Sequence, residues 1–298
     1  MNHDRNTFIE INNNTGWFDL NKGLIKLLLL MTVLIINMVI ISACSKQNNN
    51  VDIEEFSENT KKVTVNKDNA NALNILVSKN STIENENALK TNTYTKVENS
   101  STFDISNIWL KYEELDKNKN IISESETFID ITLTPGEIVY VGIDHKEYTK
   151  SINIVGYRYN TTDKEVLLDF KNDNIKIINS NFILENSKKY EILAISNLHQ
   201  ISESKEGNKY KVKVKNSSNN NLGNITLKVA QLNDKGEYIM LEHISSYSVL
   251  NANEETDIDI VTSNKAKEVK IIGYAYNDVK EETNVDIDLK SHRAKINK

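Results

Sequence analysis

An internal repeat constrains this chain more than any other feature. Shifting the sequence by 117 positions aligns Lys96–Asn160 with Lys213–Asn277 without a gap, and 20 of those 65 positions are identical. KVENSS at 96–101 faces KVKNSS at 213–218, NIWLK at 107–111 faces NITLK at 224–228, and IVGYRYN at 154–160 faces IIGYAYN at 271–277. The match resumes after a two-residue slip, with VLLDFK at 166–171 against VDIDLK at 285–290. Duplicated sequence implies duplicated local structure. Two units of similar length are therefore expected, residues 62–178 and 179–298.

Within each copy the apolar period is that of β-strands. Ile108, Leu110 and Tyr112 alternate with polar neighbours, as do Ile225, Leu227 and Val229, then Val212 and Val214, then Ile258 and Ile260. Turn signals separate these runs: TPGE at 134–137, NDKGE at 233–237 and NANEE at 251–255. Short strands at this spacing, without a sustained helical period, predict an all-β chain. Its expected architecture is two tandem immunoglobulin-like antiparallel β-sandwich domains. In both copies the apolar phase slips by one at a glycine, Gly156 or Gly273. That pattern predicts either a β-bulge or a strand buried on both faces.

Ahead of the repeats, residues 27–43 read LLLLMTVLIINMVIISA, with Lys22 and Lys26 just before and Cys44 just after. A basic flank, an apolar run and small residues at its end form a secretory signal layout. The flanking lysines favour retention of the N-terminus on the cytoplasmic side. The string Ile41-Ser42-Ala43-Cys44 resembles the bacterial lipobox. That resemblance implies transfer of diacylglycerol to the sulfur of Cys44 and cleavage after Ala43. Residues 1–43 are then a signal peptide with a long polar lead-in, and 44–61 a lipidated, disordered tether. The alternative is an uncleaved anchor helix, for which seventeen residues is near the lower limit of a span. Both readings predict attachment to the cell membrane with the repeats on its extracytoplasmic face.

The Asn-Ser-Ser turn, the strands ending YEELD (112–116) and VAQLND (229–234), a Lys/Gly hairpin and the Pro-Gly-Glu turn together resemble the FxLYD domain. This is a small β-sandwich module of exported bacterial proteins. The resemblance covers about Lys96–Ile143 and Lys213–Ile260, and it implies a structural or binding module without catalytic residues.

Charge and composition narrow the partners. The net charge is −6, and removing residues 1–43 leaves it unchanged, because three basic and three acidic residues go together. Lysine and glutamate are interleaved along the chain, with no basic face for a nucleic acid. The single cysteine excludes an internal disulfide, so apolar cores must carry stability. No two of the five histidines fall at metal-ligand spacing, and no cofactor is expected. Asp116-Lys-Asn118-Lys-Asn120 resembles the opening of a calcium loop but has Ile121 and Thr127 where the loop needs Gly and Glu. Neighbouring carboxylates such as Glu113 and Glu114 point to opposite faces of a strand and cannot act together.

Two binding candidates remain. Trp109 should stand on the outer face with Lys111 and Glu113, while its counterpart is Thr226. The pairs Tyr157/Tyr159 and Tyr274/Tyr276 either pack internally or form an exposed aromatic patch. The expected function is a non-enzymatic binding or structural module whose partner is a protein or cell-wall polymer. The alternatives are an envelope sensor or accessory subunit of a membrane complex, and an enzyme with an unrecognised site.

Overall fold

The computed structural model describes residues 64–78, 91–180, 184–205, 207–246 and 248–297. The apolar segment 27–43, Cys44 and the tether lie outside the described residues. The described chain is all-β, built from several antiparallel sheets, and none of its helices is long and apolar enough to cross a membrane.

The first half contains β1 (Leu73–Val77), β2 (Thr91–Asn99), β3 (Ser106–Leu115), β4 (Ile121–Ile129), β5 (Ile138–His145), β6 (Ser151–Asn160), β7 (Lys164–Asp169) and β8 (Asn174–Asn179). The second contains β9 (Leu184–Asn186), β10 (Leu193–Ile195), β11 (His199–Glu203), β12 (Asn208–Asn216), β13 (Leu222–Leu232), β14 (Tyr238–Ser246), β15 (Glu255–Thr262), β16 (Glu268–Asp278), β17 (Thr283–Asp288) and β18 (Arg293–Asn297). In the first half β1-β2-β5 lie side by side, and β4-β3-β6-β7-β8 form a second layer. In the second half β12 pairs with β10, β11 and β15, and β14-β13-β16-β17-β18-β9 lie side by side. The order β4-β3-β6-β7-β8 thus recurs as β14-β13-β16-β17-β18.

Several identities shared by the copies fall where backbone geometry leaves little choice. Asn107 and Asn224 both adopt φ 48°, a left-handed conformation that asparagine tolerates. Asn99 and Asn216 are fully buried within the Asn-Ser-Ser turns. Asn99 Nδ2 donates to the carbonyls of Phe103 and Leu133, both at 2.8 Å, while its Oδ1 accepts from Ser101. Asn216 repeats the arrangement with Asn220, Leu250 and Ser218. Each amide adds a second donor to a carbonyl already paired with backbone, Leu133 with the Ile105 amide and Leu250 with that of Leu222, and so ties its turn to the neighbouring segment.

The phase slip is a bulge. Lys111 pairs with Gly156, but Tyr112 pairs with Ile154. Likewise Lys228 pairs with Gly273, and Val229 with Ile271. A Cβ on Gly156 would lie 2.4 Å from the Leu168 carbonyl oxygen, and one on Gly273 would lie 2.4 Å from that of Ile287.

The halves are joined through a shared sheet. Val139 of β5 bridges Tyr238 of β14 in parallel, so β1-β2-β5 continues into the layer led by β14. Ala230, Leu232, Tyr238 and Ile272 belong to the same buried cluster as Val97, Ile108, Leu110 and Val139 of the first half. A separate cluster around Val212, Leu227, Ile260 and Tyr274 fills the second half. Strand β13 is consequently buried on both faces along most of its length, and departs from simple alternation.

Polar groups complete the junction. The Asp130 carboxylate lies 2.8 Å from Lys228 Nζ and 2.9 Å from His243 Nε2. Glu137 meets Lys290 and accepts from the Tyr238 hydroxyl at 3.0 Å, and Thr132 donates to Asp288. Burial pushes the Asp130 carboxyl upward. The hydrogen bond from His243 and the charge of Lys228 outweigh it and hold the group below the usual carboxylate range. Glu137 is depressed in the same way, with Lys290 and the Thr134 amide opposing burial.

Two outcomes are expected. Gly156→Ala or Gly273→Ala should each cost about 1–3 kcal/mol in denaturant titration, because the clash is with backbone. Gly142→Ala, whose Cβ would meet nothing within 4 Å, should have little effect. Groups with a depressed folded-state pKa stabilise above their unfolded pKa, and that contribution is lost as pH falls through the folded value. The melting temperature should therefore drop as pH is lowered below about 4. Replacing both Asp130 and Glu137 with their amides should lower it near neutrality and flatten its acid dependence.

Candidate functional site

Two equivalent sheet faces are built differently, and their contrast defines the site. On the first, a row crosses the strands through Phe128, Trp109, Arg158, Leu167 and Lys176. The matching row of the second half is Ser245, Thr226, Ala275, Asp286 and Lys295. The next row runs Glu126, Lys111, Gly156, Asp169, Asn174 in one half and His243, Lys228, Gly273, Asp288, Arg293 in the other.

In the second half the Lys228 part of this surface is buried against the first, while Ser245 and His243 stay exposed. The stem of Lys228 lies over Gly273, its Cδ 3.2 Å from where a Cβ would stand, and Nζ sits 2.8 Å from both Asp286 and Asp130. Burial draws the Lys228 ammonium down, but Asp286 and Asp130 reverse the effect and raise it above the ordinary lysine range.

In the first half Leu167 stands where Asp286 would be, so Lys111 lacks that anchor. Its Nζ lies 3.9 Å from Glu124 instead. The glycine is buried here too, and nearby lies a hollow of about 280 Å³ lined by Trp109, Lys111, Glu126, Arg158, Asp169 and Lys176 among others. Trp109 is half-buried and stacked between its cross-strand neighbours. Its ring lies 4.7 Å from that of Phe128, and the Arg158 guanidinium lies 4.7 Å from its centre on the other strand. Arg158 also approaches Glu126 at 3.5 Å. Phe128 is 40% exposed and forms the outer end of the ladder.

The tyrosine pairs form no exposed patch. Tyr157, Tyr159, Tyr274 and Tyr276 are 3%, 0%, 2% and 2% exposed, because the bulge at the preceding glycine turns them inward. The hydroxyls of Tyr157, Tyr159 and Tyr276 fasten the chain entering each half. Tyr159 donates to the carbonyl of Ala70 at 2.8 Å, and Tyr276 to that of Tyr190 at 3.0 Å. Tyr157 donates to Asn71 at 2.6 Å and accepts from the Leu73 amide. Burial pushes the Tyr157 hydroxyl up to about 12 and the other three higher still.

The remaining chemistry-bearing groups have structural partners. Glu113 pairs with Lys171 on the outer face, and Glu114 accepts from Thr149 and the Lys146 amide on the inner side. Asp116 accepts from the amides of Asn118 and Asn120 and so closes its own hairpin. Among the described residues no group of three or more His, Cys, Asp or Glu side chains could hold a metal ion. Cys44 lies outside the described residues. Sequence reasoning singled out Trp109 but missed Phe128, Arg158 and Leu167, which register alone brings beside it.

No known family profile matches the chain, and no curated protein matches it. Solved structures with some similarity include IrmA from Escherichia coli, at 16% identity and a TM-score of 0.27 over 33% of this chain and 86% of that one. Red sea bream transglutaminase follows at 10% identity and a TM-score of 0.20, over 68% of this chain and 28% of its own. The exo-chitosanase CsxA from Amycolatopsis orientalis stands at 11% and 0.21, over 69% and 25%. The chain spans only about a quarter of the last two, and likenesses this distant assign no activity.

Replacing Trp109 with Thr, the residue of the second half, should remove the stack and cost about 1–3 kcal/mol. A melting temperature unchanged by Trp109→Thr in the intact chain would show that the ladder contributes nothing to stability.

Proposed function

We propose that this chain is a lipid-anchored, extracytoplasmic, non-enzymatic binding protein. In this reading Cys44 carries the lipid, 44–61 is the tether, and residues 62–178 and 179–298 are tandem immunoglobulin-like sandwiches. The first sandwich meets a partner through the open face at Trp109, while the second braces it. One observation carries the reading: at equivalent positions of the two copies Lys228 is buried against the neighbouring half, whereas Lys111 is exposed beside a Trp–Phe–Arg ladder and a hollow. An aromatic and arginine cluster at an uncovered face is the composition that protein-binding surfaces favour. The signal layout and the position of the single cysteine support the anchoring.

A photo-crosslinking residue placed at Phe128 tests attachment and docking together. In intact cells it should give discrete adducts, whereas the same residue at exposed Val261 should not. Cys44→Ala should leave an unlipidated, longer precursor by intact mass and should abolish the adducts. Absence of lipid on the wild-type protein would reject the anchoring, and equal labelling from both positions would reject the docking face.

A further inference from the structure

The second copy supplies a precedent for what the open face of the first takes up. There, Lys228 and His243 hold a carboxylate brought from outside that copy, Asp130, at 2.8 and 2.9 Å. The first copy keeps the lysine as Lys111 and surrounds it differently. Arg158 replaces Ala275, Leu167 replaces Asp286, and Glu126 replaces His243. The change at 167 removes the internal carboxylate that holds Lys228 down over its glycine. Resting on the reading of this face as a docking surface, we propose that the hollow lined by Trp109 and Leu167 receives a carboxylate side chain from an acidic loop of a partner protein. Lys111, Arg158 and Lys176 hold it beside Trp109.

The local electrostatics favour a single carboxylate. Asp169 turns toward its own hairpin, accepting from the amides of Lys171 and Asn172 and from Asn172 Nδ2. Glu126 is engaged by Arg158. Lys176 has no ion-pair partner among the described residues, and Lys111 has only a distant one at 3.9 Å. Two cations are therefore available in a small recess, where they attract more strongly than in open water. Glu126 and Asp169 at the rim disfavour a polyanion, which would bring many charges past them. The apolar side chains of Trp109 and Leu167 suit the hydrocarbon flanks of a protein loop. A second copy of this chain does not fit by the same contact. Asp130 is already held internally, and the residue 117 positions further on is Tyr247.

The test uses the full chain in detergent and a synthetic peptide copying residues 126–137, the segment that carries Asp130 into the second half. A version with Asn in place of Asp130 serves as its partner. Calorimetry should show at least tenfold tighter binding of the Asp peptide. Leu167→Asp, which restores the anchor that fills the hollow, should abolish the preference without lowering the melting temperature. Lys176→Gln should weaken it severalfold. Equal affinity for the two peptides, no binding of either, or undiminished preference in Leu167→Asp overturns the inference. Tighter binding of inorganic polyphosphate than of the Asp peptide does so as well. Such a failure with Phe128 adducts still forming leaves the docking face standing and rejects only the carboxylate chemistry.

Discussion

The approach of one backbone to another at Gly156 and Gly273 is the constraint on which the rest of this architecture depends. The carbonyls of Leu168 and Ile287 come so near that no side chain can stand at either glycine. The strand answers with a bulge, which shifts the following tyrosines to the inner face. There they anchor the segment that opens each half. On the outer face the lysine paired with each glycine is held differently in the two copies. In one the Lys228 stem lies over the glycine under an acidic clasp. In the other a leucine replaces Asp286, and a hollow lies beside Lys111 and Trp109.

The clasp is also the hinge point of the whole arrangement. Asp130, Lys228, Asp286 and His243 place charges of opposite sign in a partly buried setting, where losing one partner costs more than the intact group contributes. Around them lie apolar contacts that assign residues of β13, β14 and β16 to the core of the first half. The two halves share a sheet through Val139 and Tyr238 and should resist independent motion. A rigid pair presents its open face at a fixed orientation, which lowers the ordering cost of binding.

Much of this was legible in the sequence. The strands, the turns at Gly136, Gly236 and Asn253, and the bulge glycines all follow from alternation and repetition, because backbone rules act locally. The tyrosines show where that reasoning stops. A phase slip marks them as special, but only the partners at Ala70, Asn71 and Tyr190, distant in sequence, decide that they face inward. The ladder was half legible: Trp109 stood out by its contrast with Thr226, whereas Phe128 and Arg158 join it through register. The junction was not legible at all. Ala230 and Glu113 occupy equivalent positions, and nothing local says that one lies under a neighbouring half and the other does not.

The shared cluster has a consequence for the order in which the molecule can be completed. A ribosome delivers the first half before β13, β14 and β16 exist, so that half emerges without Ala230, Leu232, Tyr238 and Ile272 to close its core. The second half, by contrast, has the cluster around Leu227 and Tyr274 among its own residues. The later-made portion can therefore close its core from its own residues, whereas the earlier one gains the last four members of its cluster only when its neighbour has been made.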